Sequence, residues 1–249
     1  MSNITISDTT DEERIGRDTS HAETGVRAAG AWLAVGSLVF VVSLALHPRP
    51  SPDLGEFMAI IAANSTLWIA VHWAAALALT MLVIAGLLML TAGSRFTETW
   101  WTVSAWAVLI IGALWVTTTA VAEATVIATA AAAGDTATFE AWQIFAEGTA
   151  LGFGFLVAAV AVIAVTEARS VRSITPAWAA WIGAIAAVVA FVAFVVLGLI
   201  LGIAIGGPIW LISTIVVGLW TLWFGIGLVR SKRADLHTEE VQTTRAKIA

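Results

Sequence analysis

Apolar residues run through this chain in long unbroken stretches, not in the narrow stripes of a water-soluble amphipathic helix. Six stretches reach the roughly 20 residues needed to cross a hydrocarbon layer about 30 Å thick. They cover residues 28–46, 67–92, 101–122, 149–166, 178–203 and 208–229. Backbone groups in lipid have no water to bond, so each stretch is predicted to be an α-helix. A membrane β-barrel would show short alternating segments instead. The third stretch continues as AEATVIATAAAAG, too long for one straight crossing. The helix is therefore predicted to project beyond the bilayer and to end at Gly134-Asp135. The fifth ends in Gly206-Gly207-Pro208, which predicts a tight hairpin into the sixth.

Two connections carry patterns of their own. In HPRPSPDLGEFMAIIAANSTLW, Pro48, Pro50 and Pro52 enforce an extended start. Ser51 or Asp53 then caps a short helix that ends near Asn64, with Phe57, Ile60 and Ile61 at helical spacing. In DTATFEAWQIFAEG, Phe139, Trp142 and Phe145 recur every three residues, with Glu140 and Glu147 mostly off that stripe. Both read as helices lying at the membrane interface. A lid over the bundle is the alternative.

Charge sets the orientation. Eleven of the twelve Lys and Arg residues fall in the two ends of the chain and the second and fourth connections. Arg49 alone falls on the other face. Cytoplasmic segments are enriched in Lys and Arg, so both termini are predicted to be cytoplasmic. The fold class is thus all-α, a six-span transmembrane bundle of the cell membrane. Residues 1–27 form an acidic tail predicted to be disordered, residues 28–229 the membrane domain, and residues 230–249 a second tail. The leader is long and acidic, unlike the short basic leader of a signal peptide, so the first span is read as a retained anchor.

Composition narrows the function. Charged residues make up 12% of the chain, about half the usual share of a soluble domain. The net charge of −5 gives no reason to expect nucleic acid. No cysteine is present, which removes disulfides and thiolate metal sites. Both lysines, Lys232 and Lys247, lie in the C-terminal tail, so no transmembrane Schiff base forms. There is no GxSxG elbow, no phosphate loop and no acidic ladder. The preponderance of arginine over lysine and the acidic tails lean toward a GC-rich, halophilic bacterial or archaeal source. Thirteen tryptophans and no tyrosine occur. Trp68, Trp100, Trp101, Trp178, Trp181 and Trp210 sit near span ends, as an aromatic belt does. Trp106, Trp115, Trp220 and Trp223 lie deeper, either packing or lining a pocket.

Ionisable groups within a membrane are costly and mark functional candidates. His47 closes the first span. His72 lies about 7 Å inside the same boundary, at 1.5 Å per residue. Glu123 comes back to that boundary, and Glu147 precedes the fourth span on the same side. His47, His72, Glu123 and Glu147 together are candidate metal ligands, with two imidazoles and a carboxylate leaving an open position on zinc. Haem held by His47 and His72 is a second reading, and a proton relay through His72 and Glu123 a third. The structural alternative is that His72 and Glu123 bond each other or a hydroxyl such as that of Thr119.

Small residues point to assembly. Gly198, Gly202 and Gly206 repeat every four residues, as do Gly148 and Gly152, and such spacing lets helices approach closely. The first set is a candidate face for a second copy or another membrane protein. Packing within the chain is the alternative. No broken helix pair recurs in matching positions, which weakens a small-solute transporter. Arg230, Lys232 and Arg233 follow the last span, either as a topological stop or as an anionic-lipid contact.

The span ending LALHP with EFMAIIAANSTLWIAVHWAAALAL, the segment ITPAWAAWIGAIAAVVA, and the closing PIWLISTIVVGLWTLWFGIGLVR together look familiar. Over residues 25–230 the chain resembles a broad group of uncharacterised bacterial and archaeal integral membrane proteins with about six helices. The resemblance implies the topology and brings no reaction with it. The expectation is therefore a non-enzymatic bundle that binds lipid or a partner. The alternatives are a metal- or haem-dependent enzyme or redox subunit, and a transporter.

Overall fold

The computed structural model describes residues 8–49, 51–203 and 206–231, with side chains from residue 22 onward. The described residues contain helices and turns and no β-strand. Six helical segments are long and apolar enough to cross a membrane: Ala22–Leu46, Ser65–Thr91, Trp100–Ala133, Thr136–Arg169, Ala177–Ile200 and Gly206–Arg230. The C-terminal tail predicted from composition lies outside the described residues.

Helix α1 (Asp8–Leu46) begins well inside the leader for which composition predicts disorder. No proline interrupts that leader, and Glu23 pairs with Arg27 at 2.7 Å across one turn, a spacing that supports a helix. The helix stops at Leu46 because His47 precedes a proline. Helix α2 (Leu54–Ala63) starts where Asp53 Oδ1 accepts the Glu56 amide at 2.8 Å and ends at Asn64. Helix α3 (Ser65–Thr91) crosses back to Gly93, whose φ of 61° closes the turn.

Helix α4 (Trp100–Ala122) is capped by Thr99 and runs through one π-helical turn (Glu123–Ile127) into α5 (Ala128–Ala133). The resulting 34-residue helix is about 50 Å long, longer than the hydrocarbon layer. It ends at Gly134 with φ 71°, and Asp135 caps the next helix through the Thr138 amide at 3.1 Å. The Thr138 hydroxyl, and after it the Thr138 amide, hold the exposed Asp135 carboxyl below its usual range. Helices α6 (Thr136–Ala150) and α7 (Gly152–Arg169) are joined only by Leu151 in helical conformation. The predicted interfacial helix is therefore continuous with the fourth span. Helix α8 (Ala177–Phe191) continues as a π-helical segment (Val192–Ile200). It leaves the helix at Gly202, φ 63°, ahead of the predicted Gly-Gly-Pro turn. Helix α9 (Gly206–Arg230) takes Gly206, Gly207 and Pro208 into its first turn.

The spans pack in chain order. Helix α1 contacts α3, then α3 contacts α4, α4 contacts α7, α7 contacts α8, α8 contacts α9, and α9 returns to α1. Both ends of this circuit are at one face, called proximal here, where Arg27 Nη2 donates to the Ser231 carbonyl at 3.0 Å. The opposite, distal face holds α2, α5 and α6. The main core is rich in alanine, with Ala78, Ala85, Ala113, Ala180 and Ala187 buried beside Leu79, Trp106, Val157 and Phe224. Trp106 and Trp220 pack in this core, while Trp115 and Trp223 are exposed on the outer surface.

Two helix pairs meet glycine to glycine. A Cβ on Gly225 would lie 2.8 Å from the Gly30 carbonyl oxygen, and one on Gly30 would lie 2.8 Å from that of Gly225. Gly112 and Gly152 oppose each other in the same reciprocal way between α4 and α7. The predicted Gly198, Gly202, Gly206 stripe is not one helical face. Gly198 lies in the π-helical segment, Gly202 lies in the turn, and Gly206 opens α9 against Ala193 and Leu197 of this chain.

A second, smaller core closes the distal face. Phe57 and Ile61 of α2 are buried with Trp68, Ala122, Ile127, Ala130, Phe139 and Ala146. Helix α2 therefore covers the distal end of the bundle as a lid, and α6, in line with α7, adds Phe139 and Ala146 to the same core.

Candidate functional site

The distal candidates are positioned by helix ends. His47 follows the last turn of α1, and His72 stands one turn after Trp68 on α3. Their Nε2 atoms are 3.3 Å apart. Each Nδ1 is committed elsewhere, His47 to the Pro48 carbonyl at 2.6 Å and His72 to the Trp68 carbonyl at 2.8 Å. A carbonyl only accepts, so each Nδ1 carries its proton, and the neutral tautomer leaves a lone pair on both Nε2 atoms. Two lone pairs at that distance repel. The contact becomes favourable only when a positive species, a proton or a metal ion, is shared between them. Burial pushes the His47 imidazole below its usual range, and the Pro48 carbonyl partly opposes that shift.

Trp68 organises the rest. Its side chain lies against both imidazoles, with ring centroids 4.7 Å from His47 and 4.6 Å from His72. Phe57 of the lid meets it edge-on at 5.6 Å, and Phe139 meets Phe57 at 5.9 Å. The aromatic chain thus runs from the histidine pair to α6, and the lid shields the pair from above.

Glu123 opens the π-helical turn, a distortion that frequently accompanies function. It is buried, and its carboxyl lies beside the Trp68 indole N–H. Neither Trp68 Nε1 nor Glu123 Oε2 completes a hydrogen bond of normal geometry. Thr119 is not its partner: that hydroxyl bonds Thr149 Oγ1 at 2.8 Å, because Thr119 faces α6. His72 and Glu123 do not bond each other either, since both His72 ring nitrogens are directed at His47 and the Trp68 carbonyl. Glu147 is exposed on α6, near enough for its charge to act on Glu123.

The four predicted residues therefore divide. His47 and His72 touch, Glu123 reaches them only through Trp68, and Glu147 stays on the surface. Among the described residues, no three His, Asp or Glu side chains gather closely enough to hold a metal ion. A linear Nε2–iron–Nε2 arrangement needs about 4 Å, twice a metal–nitrogen bond of about 2 Å. The 3.3 Å separation leaves no room for haem between the imidazoles.

A polar cluster at the proximal face was not singled out from the sequence. Glu167, 2% exposed, accepts the Ile174 amide and the Thr175 amide at 3.1 Å, and pairs with Arg95 Nη2 at 3.4 Å. Arg95 also donates to Ser170 Oγ at 3.0 Å and to the Arg172 carbonyl at 2.7 Å. This clasp ties the α3–α4 connection to the α7–α8 connection. The signal for it was an acid at the end of an apolar run, with a single arginine in the connection before α4. Comparison with family models, curated proteins and solved structures gives no match to this chain.

Proposed function

We propose that this is a non-enzymatic, six-span protein of the cell membrane, with both ends cytoplasmic, that binds lipid or a membrane partner on its outward surface. One observation carries the reading: among the described residues the interior offers no continuous polar path. The hydroxyls of Ser43, Thr80, Thr214 and Thr221 are spent on carbonyls of their own helices, four residues back. Ala, Leu, Phe and Trp fill the space between the helices. Outward faces carry Leu38, Leu77, Ile111, Ile185 and Ile212, all exposed, as a lipid-facing surface requires. The charge asymmetry supports the orientation.

The test combines topology with bound lipid. A cysteine placed at Gly55 should react with an impermeant thiol reagent only from outside the cell, and labelling from the cytoplasmic side overturns the orientation. Native mass spectra of the purified protein should show retained phospholipid. A protein that stays dispersed without lipid or detergent overturns the membrane reading.

The histidine pair supports a second reading, a metal-dependent site. A tetrahedral ion with metal–nitrogen bonds of about 2.0–2.1 Å sets two nitrogens about 3.3–3.4 Å apart, which matches the Nε2 separation of 3.3 Å. The described residues bring two donors, so water or a substrate would fill the remaining positions. Metal content of the purified protein and of His72→Ala decides it. A metal-free preparation unchanged by the substitution removes this reading.

A further inference from the structure

We propose that His47 and His72 take one zinc ion and that the ion locks the α2 lid shut. The inference rests on the metal-dependent reading above and adds what the ion does there. A lock needs no reaction, so it agrees with a non-enzymatic protein.

Geometry selects the ion. With metal–nitrogen bonds of about 2.0–2.1 Å, neighbouring ligands of a square-planar or octahedral ion sit about 2.9 Å apart and opposite ones about 4.1 Å, whereas tetrahedral ligands sit about 3.3–3.4 Å apart. The Nε2 separation is 3.3 Å. Imidazole on a tetrahedral ion is zinc chemistry. Both Nδ1 atoms already donate to backbone carbonyls, those of Pro48 and Trp68. Such a bond fixes the ring and leaves Nε2 for the metal. His47 is partly exposed, so water reaches the remaining positions.

The path of the chain makes that ion a lock. Helix α2 is attached at its two ends. Its C-terminal end is fixed to α3: the Asn64 amide bonds the Ile60 and Ile61 carbonyls, and the Asn64 carbonyl accepts the Trp68 amide at 2.9 Å. Its N-terminal end hangs on the connection that starts at His47, whose Nδ1 bonds the Pro48 carbonyl. His72 stands on α3. An ion between the two imidazoles therefore ties the root of the connection to the same helix that holds the other end of α2. Without a shared cation the two Nε2 lone pairs repel, and the root is the weaker anchor. Trp68 joins the two halves, since it lies against both imidazoles and takes Phe57 of α2 edge-on at 5.6 Å.

The full chain in nanodiscs is first titrated with zinc against a chromophoric chelator, which gives the Kd. Amide hydrogen exchange of α2 (Leu54–Ala63) is then compared in excess chelator and in free zinc at about 100 times the Kd. Where opening of α2 breaks the site, exchange slows by up to about 100-fold, the mass-action factor for a ligand held only by the closed form. Helix α8 (Ala177–Phe191) should keep its rate. His72→Ala should neither bind zinc nor show the slowing. Linkage is reciprocal, so Phe57→Ala, with both histidines in place, should weaken zinc severalfold. No zinc bound by the wild type removes the metal-dependent reading and the lock together. Zinc bound with α2 exchange unchanged, with α2 and α8 slowed alike, or with the same affinity in Phe57→Ala overturns the lock and leaves the metal reading in place. The wild-type comparison needs no variant, so it decides the lock even where a variant fails to fold.

Discussion

Replacing Glu167 with alanine should be among the most damaging single changes at the proximal face. The carboxylate is 2% exposed and takes three donors: the Ile174 amide, the Thr175 amide and Arg95. Breaking a buried ion pair by deleting one partner costs about 3–5 kcal/mol. Leaving a buried amide without an acceptor costs about 1–3 kcal/mol. These terms overlap, and Arg95 keeps Ser170 Oγ and the Arg172 carbonyl as acceptors. The net expectation is therefore the ion-pair figure alone and not the sum, about 3–5 kcal/mol in all. Glu167→Gln retains a carbonyl for the two amides and should cost about 1.5–3 kcal/mol, the value of one charged hydrogen bond. A double-mutant cycle with Arg95→Met should return a coupling of about 1–3 kcal/mol. Thermal unfolding in nanodiscs reads both substitutions, and limited proteolysis at residues 170–175 reports whether the connection has come loose. A loss below about 1 kcal/mol for Glu167→Ala, or equal losses for Ala and Gln, would refute the three-donor argument.

Gly225→Ala should lower stability by about 1–3 kcal/mol through overpacking, because its Cβ would meet the Ala34 amide nitrogen at 2.7 Å. Gly148→Ala, with nothing within 4 Å, should be neutral or gain up to about 1 kcal/mol of helix propensity, and thermal denaturation of the pair checks the contrast. His47 has its folded-state pKa depressed, so the unfolded chain binds the extra proton first. Stability should be full above the ordinary imidazole pKa of about 6.5 and fall as pH drops below it. Melting curves from pH 7.5 to 5 should show this, with a flatter profile for His47→Asn. Phe57→Ala should cost about 3–5 kcal/mol and open the lid, seen as faster quenching of the Trp68 signal by aqueous iodide. Unchanged quenching would mean that α2 does not shield Trp68.

The spans were legible because lipid leaves the chain one solution, and the local punctuation was legible too. His47-Pro48, Asp53, Asn64, Gly134 and Asp135 each stop or start a helix where their own chemistry requires it. What lies across from each residue was not legible. Thr119 and Glu123 are one turn apart in sequence, yet Thr119 bonds Thr149 on α6, since pairing depends on how each helix is rotated. The four-residue spacing of Gly198, Gly202 and Gly206 assumes that the helix continues, and it ends before Gly202. His47 and His72 could be placed at one membrane boundary from their positions in the spans. Their direct contact depends on the crossing of α1 and α3, which no local pattern encodes. Of the proximal clasp only Arg95 carries a signal in the sequence, as topological charge, because its partner Glu167 is 72 residues away.

The meeting of Gly30 with Gly225 has a consequence for biogenesis. Every other seam in the circuit joins spans that are neighbours in the chain, so each can form as soon as its second helix enters the membrane. The α1–α9 seam joins the first of these six spans to the sixth. Until α9 arrives, α1 has one flank open and the assembly is a curved row of hairpins with two unfinished edges. Close glycine contact at that seam rewards completion: it has no value to any shorter chain. A truncation before α9 should therefore leave α1 exposed to whatever quality control recognises an unmated helix, and the reciprocal glycines act as the latch that ends synthesis-time vulnerability.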